Sequence, residues 1–354
     1  MHKIKAISLF SSAGIGELLL NKEDIDIVCA NELIEKRSKC YKFLHSGIKM
    51  ISGNIQEDKI KNKIIDLSLK ENVKLLIATP PCQGLSTLGK NKKQNQFLLD
   101  KRNYLIFDAL NIIDSSDFDY ILIENVPRFL EMKFPFNNEV LSLEQILNFK
   151  YSAIYHIEAA ILNAKDYGVP QSRPRAIIKL YKKHLRWGQP LPEKEITLKE
   201  AIGKLPSLEA GEKSDLKWHF AKSQNPRAIE ALKYTPTGKS ALTNPAYYPK
   251  KENGDRIKGF HNTFKRMQWE EPAPARTTYC GSISSHNNVH PGYLLQDGTY
   301  SDARVLTLLE TFIVHSIPKE IDFPRDASDT FIRTMIGESI PPLLLYKILS
   351  KIGE

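Results

Sequence analysis

The chain has 354 residues, 42% of them apolar and 26% charged, with a formal net charge of +9. This is long enough for a large core and for two domains, and no apolar run reaches the roughly 20 residues that a membrane helix needs. Cysteines at 29, 40, 82 and 280 form no CxxC pair and no metal-ligand spacing, and the start MHKIKAISLF lacks the apolar stretch of an export signal. A cytoplasmic chain with free thiols, no membrane partner and no metal is therefore expected.

The charge is uneven. Residues 181–270 hold 14 Lys and 4 Arg against 8 Glu and 2 Asp, a net +8. A solvated lysine-rich surface or a face for a polyanion would each account for it.

Short apolar runs at 4–10, 26–32, 73–80, 119–126, 151–162 and 175–181 read as buried strands. Stretches 33–46, 58–70 and 101–115 carry helical spacing between them. The alternation predicts an α/β fold, a mostly parallel sheet with helices on both faces, binding its ligands at the carboxyl ends of the strands. After about residue 181, Pro, Gly, Asn and Lys become frequent and long apolar runs vanish until about 305. That change predicts a smaller domain of loops and short strands. An apolar segment at 340–353, with Pro341 and Pro342 in its first turn, predicts a final helix.

The chemistry-bearing residues sit at the predicted strand ends. LFSSAGIGELLL (9–20) places small residues and Gly16 after the first strand, where backbone can approach a ligand closely. Glu32 closes the second strand and can accept from the hydroxyls of an adenosine ribose. In SGNIQED (52–58) the pair Asn54–Ile55 sets a polar side chain before an apolar one at a strand end, suited to bind and sandwich an adenine ring. Cys82 stands behind Pro80 and Pro81 at the end of an apolar strand, followed by a polar loop. Proline stiffens that approach, and a thiol there needs nearby positive charge to act as a nucleophile. Glu124 ends the next strand after YILI, where a carboxylate must be partnered or protonated. Arg173 and Arg175 stand two apart, so in an extended chain they face one side and could both serve Glu124 and a substrate carbonyl.

The order Gly-rich turn, Glu32, PPCQ (80–83), ENV (124–126), QSRPR (171–175), RTTYCGS (276–282) and GESIPP (337–342) resembles the DNA cytosine-5 methyltransferases of bacterial restriction-modification systems, over about residues 4–350 except 182–265. The resemblance implies a catalytic domain, 1–181 completed by 330–354, and a small domain, 182–329, with a target-recognition region at about 182–265 and a supporting motif at about 266–291. It implies S-adenosyl-L-methionine (AdoMet) as cofactor and double-stranded DNA as partner. A cognate restriction endonuclease as genetic partner and a monomeric chain are also expected. Cys82 would add to carbon 6 of a flipped-out cytosine, with Glu124, Arg173, Arg175, Gln83 and Val126 completing the catalytic set. Phe10, Ser12, Ala13, Gly14, Gly16, Glu32, Leu33, Asn54, Ile55, Pro80, Leu105 and Ser339 would hold the cofactor. Ser86, Lys90, Lys92, Lys93 and Gln171 would touch DNA.

Three positions depart from the family pattern. Asn54 replaces an acidic residue, Glu338 an asparagine, and Ser12 a glycine, which implies a less unusual backbone angle at 12. An RNA cytosine methyltransferase with the same catalytic set and a non-catalytic DNA-binding regulator are the other readings. A nicotinamide-dependent oxidoreductase leaves PPCQ, ENV and QSRPR without a role.

Overall fold

The computed structural model describes residues 3–20, 24–81 and 100–354. The elements that position the site run in the order β1 (Ile4–Leu9), β2 (Ile25–Glu32), α1 (Glu35–Leu44), β3 (Lys49–Ser52), α2 (Asp58–Lys70), β4 (Leu75–Ala78), α3 (Ile106–Asp114) and β5 (Tyr120–Asn125). A hairpin of β6 (Lys133–Phe136) and β7 (Glu139–Ser142) leads into α4 (Leu143–Tyr151), then β8 (Tyr155–Asn163), β9 (Gln171–Ser172) and β10 (Pro174–Lys182). Tyr151, taken from its apolar surroundings as the start of a strand, is the last residue of α4. A Ser142/Gln145 capping box starts that helix, and the strand begins at Tyr155.

The chain divides into two units. The first is Met1–Asn163, Pro174–Leu191 and Leu345–Glu354; the second is Ala164–Arg173 and Pro192–Leu344. The first holds a seven-stranded sheet in the order β3-β2-β1-β4-β5-β10-β8. Strands β1 to β5 pair in parallel, and β10 runs antiparallel to both β5 and β8. Only ten residues separate β8 from β10, too few for the crossover helix that a parallel return requires. Alternate residues of four strands (Ile7, Leu9, Leu76, Ala78, Ile121, Ile123, Ile178 and Leu180) share one core with Ile60 and Ile64 of α2 and Ile106, Leu110 and Ile113 of α3. This is the period of two against the period of 3.6 that the sequence displays.

The second unit has little regular structure: α5 (Leu198–Ile202), α6 (Pro226–Lys233), β11 (Ala273–Pro274), α7 (Leu308–Val314), α8 (Asp329–Glu338) and the start of α9 (Pro342–Leu349). Its interior is organised around guanidinium groups. Arg173, Arg266, Arg276, Arg304 and Arg333 are among the largest fully buried side chains of the protein. Arg266 donates to the carbonyls of Leu232, His290 and Asp302, and Arg276 to those of Pro274 and Asn287. Irregular backbone must find partners for its carbonyls, and a planar fork of five donors serves several loops at once. Burial lowers both arginines to about 10. Arg266 is thus one positive charge of the 181–270 excess that is not on the surface.

Among the described residues no helix is long and apolar enough to cross a membrane, and no cluster of His, Cys, Asp and Glu has the arrangement of a metal site.

Candidate active site

The carboxyl ends of β1, β2, β4 and β5 carry the candidate residues of the first unit. Strands β4 and β5 are parallel neighbours, Ala78 opposite Ile123, so the Pro80–Pro81 exit of one lies beside the Glu124 end of the other. Asn125 joins these two exits, and Thr79 ties the first of them to the end of β1. Asn125 is buried and donates from Nδ2 to the Pro80 carbonyl at 3.0 Å, while its Oδ1 accepts from the Val126 N–H at 2.8 Å. Thr79 donates its hydroxyl to the Phe10 carbonyl and its N–H to that of Leu9. Neither residue stood out as functional in the sequence. The signal for Asn125 is its place inside ENV, a polar residue beside Glu124 at the end of an apolar run.

Glu124 is 5% exposed and Arg175 8%. Arg175 Nε lies 2.8 Å from Glu124 Oε1. The register explains the pair: Glu124 faces Ile177 across the antiparallel ladder, and Arg175 is two residues from Ile177 on the same face. Burial lowers the Arg175 pKa, and the Glu124 charge opposes that. The carboxylate that had to be partnered or protonated is partnered.

Arg173 has a set of carbonyl partners of its own. It lies between β9 and β10, in the second unit, and donates to the carbonyls of Arg276 (2.6 Å), Gly337 (2.7 Å) and Ser339 (2.7 Å). The two-residue rule fails here because Ser172 ends one strand and Pro174 begins another. Gln171, expected on DNA, is fully buried; its amide binds the Val314 carbonyl, His315 Nδ1 and the Arg276 N–H. A side chain with its donors and acceptor so used has no surface to offer a nucleic acid. Cys82, Gln83, Ser86, Lys90, Lys92 and Lys93 lie outside the described residues. The other three cysteines are buried and free, and burial pushes the Cys29 thiol up to about 12, the mark of an inert sulfur.

The turn after β1 is tight. Phe10, Ser12 and Gly14 all have positive φ, at 60°, 50° and 73°. The less unusual angle expected of Ser12 is not found; the serine adopts the left-handed conformation that glycine would. Its N–H donates to Glu32 Oε2 at 2.9 Å, and the Ile34 N–H donates to Glu32 Oε1 at 2.7 Å. Each oxygen keeps acceptor capacity for a further donor, as a ribose diol requires. Leu33 beside it is 62% exposed, Ile55 is buried, and Asn54 is half-buried, with Oδ1 accepting from the Gln56 N–H. Ala13 and Gly16 are buried, Leu105 is half-buried between a short 3-10 turn and α3, and Val126 packs on the core. Beneath the turn, Glu17 accepts from the hydroxyls of Ser8 and Tyr41, each at 2.5 Å. His45 Nε2 lies 2.9 Å from the Gly14 carbonyl, and a Cβ on Gly14 would fall 2.4 Å from that nitrogen. In the second unit, Ser339 caps α8 and Glu338 is exposed.

Ser12 carries a second cost. Its Oγ is buried and has no hydrogen-bond partner among the described residues. Ser12→Gly removes the strained φ and the orphaned hydroxyl, about 1 kcal/mol each, against about 0.5–1 kcal/mol of added chain entropy in the unfolded state. A net gain of about 1 kcal/mol is expected as a raised urea midpoint, and an unchanged or lowered midpoint would contradict this account of the turn.

A mixed, mostly parallel seven-stranded sheet with a tight small-residue turn after β1 and an acidic residue closing β2 is a methyltransferase fold. Solved structures agree on the fold. A structure described as a prophage-encoded DNA modification methyltransferase of E. coli superposes with a TM-score of 0.66 at 17% identity, covering 98% of each chain. A mutant of Spodoptera frugiperda DNMT2 gives 0.65 at 16%, again over 98% of each. The C-5 cytosine-specific DNA methylase family matches residues 4–354. The Type II methyltransferase M1.HgaI of Avibacterium volantium is 46% identical over 349 residues, 99% of this chain and 98% of its own. The chain belongs to the C-5 cytosine-specific DNA methylase family and is a DNA (cytosine-5-)-methyltransferase.

Proposed function

We propose that this enzyme methylates carbon 5 of a flipped-out cytosine in a specific duplex sequence through a covalent Cys82 adduct, with AdoMet as methyl donor, as the modification arm of a restriction-modification system. The buried Glu124–Arg175 pair beside the Pro80–Pro81 exit carries the reading. The modification role, and with it a restriction endonuclease of matching specificity, rests on likeness to a Type II methyltransferase along almost the whole chain. The donor set around Glu32 suits a nucleoside: a carboxylate with spare acceptor capacity, an exposed apolar Leu33 and a buried Ile55. Phe10, Ser12, Ala13, Gly14, Gly16, Asn54, Pro80, Leu105 and Ser339 are assigned to the same ligand by their places in the family's motifs.

Carbon 5 of cytosine is a weak nucleophile inside a stable aromatic ring. Attack of the Cys82 thiolate on carbon 6 forms an S–C bond and turns carbon 5 into the nucleophilic end of an enamine. Glu124, hydrogen-bonded to ring nitrogen 3 and the amino group, shares a proton as charge builds there. Arg175 fixes the carboxylate and faces the base carbonyl. AdoMet, when bound, would supply an electrophilic methyl group for carbon 5, its S–CH3 bond breaking to leave the neutral thioether. A base or water then takes the carbon-5 proton, the 5,6 double bond re-forms, and the thiolate leaves. Arg173 serves this set as a positioning residue. Gln83 and the loop bearing Ser86, Lys90, Lys92 and Lys93 approach the DNA.

Bisulfite sequencing of DNA from cells making the protein would give the modified base and its context. A duplex carrying 5-fluorocytosine at that position tests the adduct, because fluorine cannot leave as a cation in place of the proton. With AdoMet present, a protein–DNA complex that survives denaturing electrophoresis is expected. Methylation of ordinary duplex without such a complex would refute the covalent route.

A further inference from the structure

Five polar groups in the second unit form one directed chain of hydrogen bonds. The Arg276 N–H donates to Gln171 Oε1 at 3.0 Å, which fixes the orientation of that amide. Gln171 Nε2 therefore donates, to His315 Nδ1 at 3.0 Å and to the Val314 carbonyl at 3.1 Å. His315 Nδ1 must then accept, so the neutral ring carries its hydrogen on Nε2. That nitrogen lies 3.0 Å from Ser339 Oγ, and the Ser339 hydroxyl hydrogen is left for the Ile336 carbonyl at 3.1 Å. Gln171 and His315 are both fully buried. The two ends of the chain are also pressed together: Arg173 bridges the carbonyls of Arg276, Gly337 and Ser339, and a Cβ on Gly337 would fall 2.3 Å from the Thr277 carbonyl carbon and the Thr278 nitrogen.

Apolar side chains would fill the same space without the cost of burying an amide and an imidazole. What the polar pair adds is direction: every donor meets one acceptor, so a single rotamer of the Ser339 hydroxyl is compatible with the chain. We propose that Gln171 and His315 form a positioning relay that sets the Ser339 hydroxyl for AdoMet and couples it to the Arg276 segment. This rests on the reading that Ser339 lies at the cofactor.

The test compares His315→Leu, His315→Gln and Ser339→Ala in the full-length enzyme, with thermal melts to establish that each is folded. Glutamine keeps the pattern, since its Oε1 can accept from Gln171 and its Nε2 can donate to Ser339. His315→Leu is expected to weaken AdoMet binding about tenfold, as loss of a hydrogen-bonded ligand contact predicts. By calorimetry Kd rises, and in kinetics KM for AdoMet rises while kcat at saturation and KM for DNA change less than about twofold. His315→Gln is expected to recover most of that affinity. Weakened binding in Ser339→Ala with normal binding in His315→Leu would overturn the relay, as would equal impairment by leucine and glutamine. Normal binding in Ser339→Ala would instead overturn the placement of Ser339 at the cofactor.

Discussion

Arg175→Met is expected to abolish methyl transfer and to cost about 3–5 kcal/mol of stability, because it removes the guanidinium that faces a buried carboxylate. Glu124 is 5% exposed, and the guanidinium 2.8 Å away compensates its burial. Glu124→Gln is the contrasting change. It keeps the shape and an oxygen for Arg175, and Arg175 retains its own bond to the Pro174 carbonyl. Its stability cost is accordingly smaller, but it removes the group that shares a proton with the base, and kcat is expected to fall by roughly 10²–10⁴. In the double variant the uncompensated charge is gone, so much of the stability lost in Arg175→Met returns while activity does not. Urea unfolding and transfer of a labelled methyl group to DNA measure the two effects separately. Wild-type stability in Arg175→Met, or wild-type kcat in Glu124→Gln, would contradict the assignment.

The same pair shows what a sequence makes legible. Glu124 at the end of an apolar run demands a partner, and an arginine at the start of the next apolar run is a candidate for it. Strand continuity is what the sequence hides. Arg173 and Arg175 look equivalent until Pro174 proves to be the first residue of β10 and Ser172 the last of β9. One guanidinium then meets Glu124, and the other meets three carbonyls from segments about 100 and 165 residues away in the chain. Gln171 shows the same limit: it is fully buried, and two of its three partners are backbone groups, which no pattern of side chains announces. The sheet was legible because its strands and helices bury apolar side chains at fixed periods. The second unit buries arginines beside its apolar clusters, and a count of charges reads each of them as surface.

That choice of interior is expected to make the second unit acid-labile. Arg304 is fully buried and bonds to Asp302 Oδ1 at 2.6 Å and to Glu310 at 2.7 and 3.0 Å. Glu310 also caps α7 through the Thr307 N–H. Burial alone would raise both carboxyls. For Asp302, His290, Arg304 and the hydroxyls of Ser207 and Ser301 outweigh it, and for Glu310 chiefly Arg304 and His290 do, so both pKa values are lowered. His290 lies 3.7 Å from each acid, yet burial, helped by Arg304, lowers it from 6.5 to about 4. Its Nδ1 accepts from the Gly292 N–H, a bond that protonation would destroy. Above about pH 4 the imidazole is neutral, and Arg304 is the cation bonded to both acids. Arg304→Met leaves two buried carboxylates facing each other and is expected to cost at least about 3–5 kcal/mol. The pH dependence follows in sign. Between about 6.5 and 4 the unfolded chain binds a proton at His290 that the folded chain refuses, so stability falls with pH by about 3 kcal/mol over that window. Below the ordinary range of Asp and Glu the two depressed carboxyls add to the loss. His290→Asn keeps an acceptor for Gly292 and removes the titration, so its urea midpoint is expected to stay nearly flat from pH 7 to 5 while that of the parent declines. Parallel declines in the two proteins would show that the acid sensitivity arises elsewhere.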